Sequence, residues 1–171
     1  GLETWGKALM HSLAQISLPE QSNKLISQLA PLSQSDRPVV SAAALEALGD
    51  LGPQSVPVVP TLLEKTLAPN REVRLAAYQA LTRVTRQSRT VVPALTAGIQ
   101  DEDQEIRIYA TEQIGKFGRE AQGPAEPLLF AVLDDSEVRK SALDTLRQIR
   151  TEALPLLITA LDHEDALVRL F

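Results

Sequence analysis

The side chains with the widest chemical reach in this sequence are two histidines, a few acidic clusters and a row of arginines. His163 lies in Asp162-His163-Glu164-Asp165, a grouping that could be drawn as a cation site. Zinc needs three or four converging ligands, and one imidazole in an acidic turn supplies too few. It therefore reads as a solvated loop residue. His11 has no ligand partner in its sequence neighbourhood. Asp101-Glu102-Asp103 and Asp134-Asp135 read as turns with helix caps, since the remaining ligand pattern of a calcium loop is missing. The chain has no cysteine, which excludes disulfides, thiolate metal sites and a cysteine nucleophile. It has no glycine-rich phosphate loop and no serine-centred nucleophile elbow. Its carboxylates pair only as helix-turn charges. No catalytic residue, no metal ligand and no cofactor is expected.

The arginines are more regular. Arg74, Arg107, Arg139 and Arg169 each follow a Val or Ile, and three residues before that Val or Ile stand Asn70, Asp103, Asp135 and Asp165. Short polar residues there suit helix N-caps, each worth about 1 kcal/mol. Glu72, Glu105 and Glu137 follow in the first turn, where the helix dipole favours negative charge. A row of guanidinium groups could bind anions. A residue found in every repeat more commonly serves what all repeats share, which is stacking.

The element that carries this row is clearest at residues 70–84. Val73, Ala76, Ala77, Ala80, Leu81 and Val84 recur at the spacing of one buried stripe on an α-helix. Val40, Val73, Ile106, Val138 and Val168 mark equivalent positions 30 to 33 residues apart. That period belongs to stacked helical repeats, in which each repeat buries its face on its neighbours. Aromatics make up only 4% of the chain, which suits closely packed helices better than a sheet. Trp5, Ala8, Leu9, Leu13 and Ile16 form an initial helix that reads as the second helix of an incomplete repeat. Leu51-Gly52-Pro53 is a helix stop. First helices are expected at 19–32, 56–67, 91–99, 124–133 and 153–161. Second helices are expected to begin near Arg37, Asn70, Asp103, Asp135 and Asp165. The expected organisation is one repeat array, 1–171, with repeats at 1–17 (partial), 18–53, 54–87, 88–120, 121–150 and 151–171 (partial). The absent initial Met and the helical pattern still running at Phe171 suggest a piece of a longer protein.

Asp135-Ser136-Glu137-Val138-Arg139, with Ala142 and Leu146 beyond, resembles the HEAT repeat, as does Leu48-Gly49-Asp50-Leu51-Gly52-Pro53. Both are similar to the short bacterial HEAT-like repeats named after phycobilisome lyases. The resemblance implies an all-α fold, an α-solenoid of stacked antiparallel helix pairs. It also implies that Arg74, Arg107, Arg139 and Arg169 form a structural ladder with Asp103, Asp135 and Asp165 between neighbouring repeats. Ser41 and Gly6 stand where the repeat arginine would be.

Positions that differ between repeats point to function. In a HEAT-like solenoid the second helices line the concave side. Offsets +2, +5 and +9 from the repeat Val lie away from the buried stripe. They place Leu75, Tyr78, Thr82, Ile108, Thr111, Lys140 and Arg147 on a candidate partner-binding face, with Leu75, Tyr78 and Ile108 as its apolar centre. Arg83, Glu112 and Lys116 would form a charged rim, in a +6 and +10 pattern that alternates in sign. The competing reading is that curvature buries these residues against neighbouring helices. The expected function is a non-catalytic scaffold that binds a protein or peptide. The alternative is a role like that of bilin lyases, with a linear tetrapyrrole in the groove. A net charge of −5 disfavours nucleic acid. No apolar run is long enough to span a bilayer. A cytoplasmic location is consistent with the absence of cysteine.

Overall fold

Local sequence determines where each helix starts and stops. The computed structural model describes residues 19–121, Leu128 and residues 138–149. Among these the regular elements are helices, with no strand, and the architecture is an α-solenoid of antiparallel helix pairs. The chain divides into two compact halves, Gly1–Arg86 and Gln87–Phe171.

In the N-terminal half, α1 (Pro19–Leu32) and α2 (Pro38–Asp50) both open on a proline, whose missing N–H costs no bond in a first turn. After α2 the chain turns at Gly52, whose φ of 60° lies in the left-handed region that glycine tolerates. The helix expected from Val56 is divided. A 3-10 stretch, Gly52–Val58, runs directly into a short α3 (Val59–Lys65). Pro53, Pro57 and Pro60 each lack the donor an α-helical ladder needs, so the tighter turns come first. α4 (Arg71–Val84) buries all six residues of its apolar stripe. α1 packs on α2, α3 on α4, and the most extensive packing joins α2 to α4. These two second helices run in the same direction. Asp50 meets Arg83 at their C-terminal ends, and Val39 and Glu72 share a groove at their N-terminal ends.

The C-terminal half contains α5 (Ser88–Gly98), α6 (Gln104–Gly115), a 3-10 turn (Gly118–Glu120) and α7 (Arg139–Ile149). α5 begins three residues ahead of the expected Val91, which places Pro93 inside the helix on an exposed side. Helix α6 packs on both α5 and α7. Thr145 Oγ donates a buried 2.9 Å hydrogen bond to the Thr111 carbonyl, which fixes α7 against α6. Leu128 is helical and fully buried. The expected second-helix starts at Arg37, Asn70 and Asp103 are the N-cap positions of α2, α4 and α6, with a capping side chain at Asn70 and Asp103. The helices expected at 3–16, 153–161 and 167–171 lie outside the described residues, as do His11, Asp135, His163, Asp165 and Arg169.

Candidate partner-binding groove

α2 and α4 come into close contact near their C-terminal ends. A Cβ placed on Gly49 would stand 2.8 Å from the Ala80 Cα. Beyond that contact Arg83 and Asp50 bridge the same two helices with a 3.0 Å ion pair. Toward the N-terminal ends, small side chains leave a groove of about 390 Å³. Val39, Ala42, Ala43 and Glu46 form one wall. Arg71, Glu72, Leu75, Ala76 and Gln79 form the other. Ala42 and Ala76 are buried in its floor, Leu75 is half-buried, and Val39 is 54% exposed. An apolar floor with a few charged groups on its walls can hold an aliphatic side chain and orient its polar neighbours.

The expected binding face divides on inspection. Leu75 lines the groove, at offset +2. Tyr78 does not: it is 2% exposed and belongs to the core, and Thr111 is fully buried. Both stand at offset +5, together with the buried Leu45 and Leu143. At about 100° per residue, +5 lies about 60° beyond the stripe's edge at +8, whereas +2 lies about 100° or more from either edge. It therefore flanks the stripe and is used in packing. A buried phenol offers a partner no surface, which corrects the expectation that Tyr78 anchors a ligand. Thr82 is half-buried, its hydroxyl donating to the Gln79 carbonyl at 3.0 Å. Arg83 is exposed but engaged with Asp50, so the alternating charges at +10 join neighbouring second helices here.

In the C-terminal half, Ile108 is half-buried, and Glu112, Lys116, Lys140 and Arg147 are exposed. Lys116 donates to Gln113 Oε1 at 3.1 Å, and Arg147 pairs with Asp144 at 3.3 Å. Of the groove residues only Leu75 belongs to the expected binding face. The available signal was the alanine run Ala42-Ala43-Ala44, which leaves a helix surface without bulk.

The arginine row binds its own turns. Arg74 Nη1 donates to the Ala68 and Pro69 carbonyls at 3.1 and 3.0 Å. Arg107 Nη1 does the same to Asp101 and Glu102, both at 3.0 Å. These bonds run within a repeat, from the second helix back to the turn that precedes it. The caps complete the motif. Asn70 Oδ1 accepts from the Glu72 and Val73 amides, and Asp103 Oδ1 accepts from those of Glu105 and Ile106. Where Ser41 replaces the arginine, its hydroxyl donates to the Ser33 carbonyl at 2.7 Å in a buried setting. The substitution thus keeps a donor on the turn. Arg139 is half-buried in α7. Among the described residues no group of three or more His, Cys, Asp or Glu converges as a metal site would require. No described helix is long and apolar enough to cross a membrane.

A family model described as HEAT repeats matches residues 59–128 and again residues 92–170. The crystal structure of an engineered protein from the Northeast Structural Genomics Consortium superposes with a TM-score of 0.60 at 18% identity, covering 96% of this chain and 87% of that one. No curated protein matches the chain.

Proposed function

The chain belongs to the HEAT-repeat family, and from that premise we propose that it is a non-catalytic scaffold that binds a protein or peptide in the groove between α2 and α4. The observation that carries this reading is the groove itself. Elsewhere on these two helices the facing side chains are consumed by stacking, as at Gly49 and Ala80, or by pairing, as at Asp50 and Arg83. At Val39, Ala43 and Leu75 apolar surface is left partly open to solvent beside charged groups. Desolvating such surface is what anchors partner side chains at interfaces. A linear tetrapyrrole fits the groove less well, because its propionates call for paired cations and the walls carry one guanidinium, Arg71, with two carboxylates, Glu46 and Glu72. The same carboxylates oppose a nucleic-acid backbone. A reducing compartment such as the cytoplasm suits a chain without cysteine.

The test is site-specific photo-crosslinking in lysate of the source organism, with the reactive group at Val39 in the groove or at Lys24 on the exposed side of α1. The reading expects a discrete polypeptide adduct from Val39 and none from Lys24. Equal capture from both positions, or no polypeptide at Val39, would overturn it.

A further inference from the structure

The 3-10 stretch that follows α2 is held differently from the helices around it. Ser33, Ser41 and Thr66 are buried hydroxyl residues of the same half, and each donates to a carbonyl at 2.7 Å. Ser55 is fully buried too, yet its Oγ has no hydrogen-bond partner within the protein. Burying a hydroxyl in this way costs free energy that exposure to water recovers. The backbone of the stretch is thinly held as well. Pro53, Pro57 and Pro60 have no N–H to donate, and 3-10 bonds are poorer in geometry than α-helical ones. Of the seven residues Gly52–Val58, Ser55 and Val58 are the buried ones, while Val56 is 45% exposed. Few buried side chains and a backbone short of donors mark a segment that opens at less cost than the whole unfolds.

Both ends of the stretch are anchored. Before it, the Leu51 N–H donates to the Ala47 carbonyl at 3.2 Å, and Asp50 is paired with Arg83. After it, Leu62 of α3 is fully buried. Gly52, with its φ of 60°, supplies a joint beside the first anchor. We propose that Gly52–Val58 opens as a unit of its own, a strap that lifts from α1 and α4 while α2 and α4 stay packed on each other. Lifting hydrates the Ser55 hydroxyl and uncovers the sides of α1 and α4 that the strap touches.

The chain contains no cysteine, so a single introduced thiol reports on one position. Ser55→Cys places a thiol in the strap, and Ser41→Cys places one at a buried site in α2. A thiol suits an apolar setting better than a hydroxyl does, so the first substitution works against the expected result. The thiol of Ser55→Cys is expected to react with a maleimide at least about tenfold faster than that of Ser41→Cys. Its rate should hardly change with urea below the unfolding transition, because lifting the strap exposes little surface. Ser55→Ala removes the unbonded hydroxyl. It should slow hydrogen exchange at the Val59 amide, which donates to the Val56 carbonyl, by about fivefold or more. Equal reaction of the two thiols would overturn the proposal, as would a Ser55→Cys rate that rises with urea as steeply as global unfolding. In the parent chain, a Val59 amide that exchanges no faster than those of Ala80 and Leu81, both fully buried in α4, would overturn it without any substitution. Unaltered exchange in Ser55→Ala would overturn the part assigned to the hydroxyl.

Discussion

Gly49 and Gly115 occupy the same offset, +9, in two repeats, yet replacing each by alanine should have opposite consequences. On Gly49 the new Cβ would lie 2.8 Å from the Ala80 Cα and 3.1 Å from its Cβ. Neither atom can move away without displacing α4, because Ala80 is itself fully buried. Forcing a methyl group into such a contact costs about 1–3 kcal/mol. The helical preference of alanine over glycine returns at most about 1 kcal/mol, and less this close to a helix end. The net expectation for Gly49→Ala is a loss of about 1–2 kcal/mol, or a melting point lower by about 3–6 °C for a chain of this size. On Gly115 the nearest atom, at 2.8 Å, is the amide oxygen of Gln148, the tip of an exposed and flexible side chain. That tip can rotate aside. The Thr145 hydroxyl at 3.2 Å needs to give only a few tenths of an ångström. Gly115→Ala should therefore stay within about 0.5 kcal/mol of the parent, in the range of an unstrained surface change. Urea denaturation of both variants followed by far-ultraviolet circular dichroism measures the difference. If Gly49→Ala is as stable as the parent, α2 and α4 do not meet as described. If both variants lose stability equally, backbone effects common to the two glycines, and not the contact with Ala80, set the outcome.

Other variants probe the turns and the core. Arg107→Ala should lower stability by about 1–3 kcal/mol, because the Asp101 and Glu102 carbonyls lose their charged donor. The exposed Lys116→Ala should change it by less than about 0.5 kcal/mol, and equal losses in the two would mean that the arginine is an ordinary surface charge. Ser41→Ala should cost about 1–2 kcal/mol by leaving the buried Ser33 carbonyl without that donor. An unchanged unfolding midpoint would count against the idea that serine replaces the arginine in function. Tyr78→Ala should destabilise the fold by roughly 3–5 kcal/mol, as truncation of large core aromatics does. If instead it folds normally and loses only partner binding, the residue is not core.

Much of the fold was legible because its determinants are local. The N-caps Asn70 and Asp103, the glycine stop at Gly52 and the stripe from Val73 to Val84 each act within a few residues, so their spacing reveals the helices directly. The candidate groove was legible only in part. Leu75 lies far enough round its helix to clear the stripe, whereas Tyr78, on the flank, is claimed by packing. A helix in an array is buried on more than one side, and periodicity around a single stripe does not say how far the burial extends. The division of the helix expected at 56–67 into a 3-10 stretch and a short α-helix was not legible, because apolar spacing over so few residues does not distinguish the two. The regular spacing of the arginine row was legible. That it reaches back to its own turn depends on where a long side chain finds carbonyl acceptors, which sequence alone does not give.

Those turn-closing bonds have a consequence for how such a chain can change length. The bonds from Arg74 and Arg107 span only five or six residues, so the bend between two helices is secured by material from its own repeat. Contacts this short in sequence close with little loss of chain freedom, which favours early formation during folding. Removing or duplicating the segment between equivalent residues, such as Val73 and Ile106, would leave the bends on either side with the donors of their own repeats, Ser41 in one and an arginine in the other. What such an edit must re-establish is the fit between neighbouring second helices, where Gly49 meets Ala80. The bends are interchangeable parts, while the seams between helices are matched pairs, and it is the seams that limit which repeats can be exchanged.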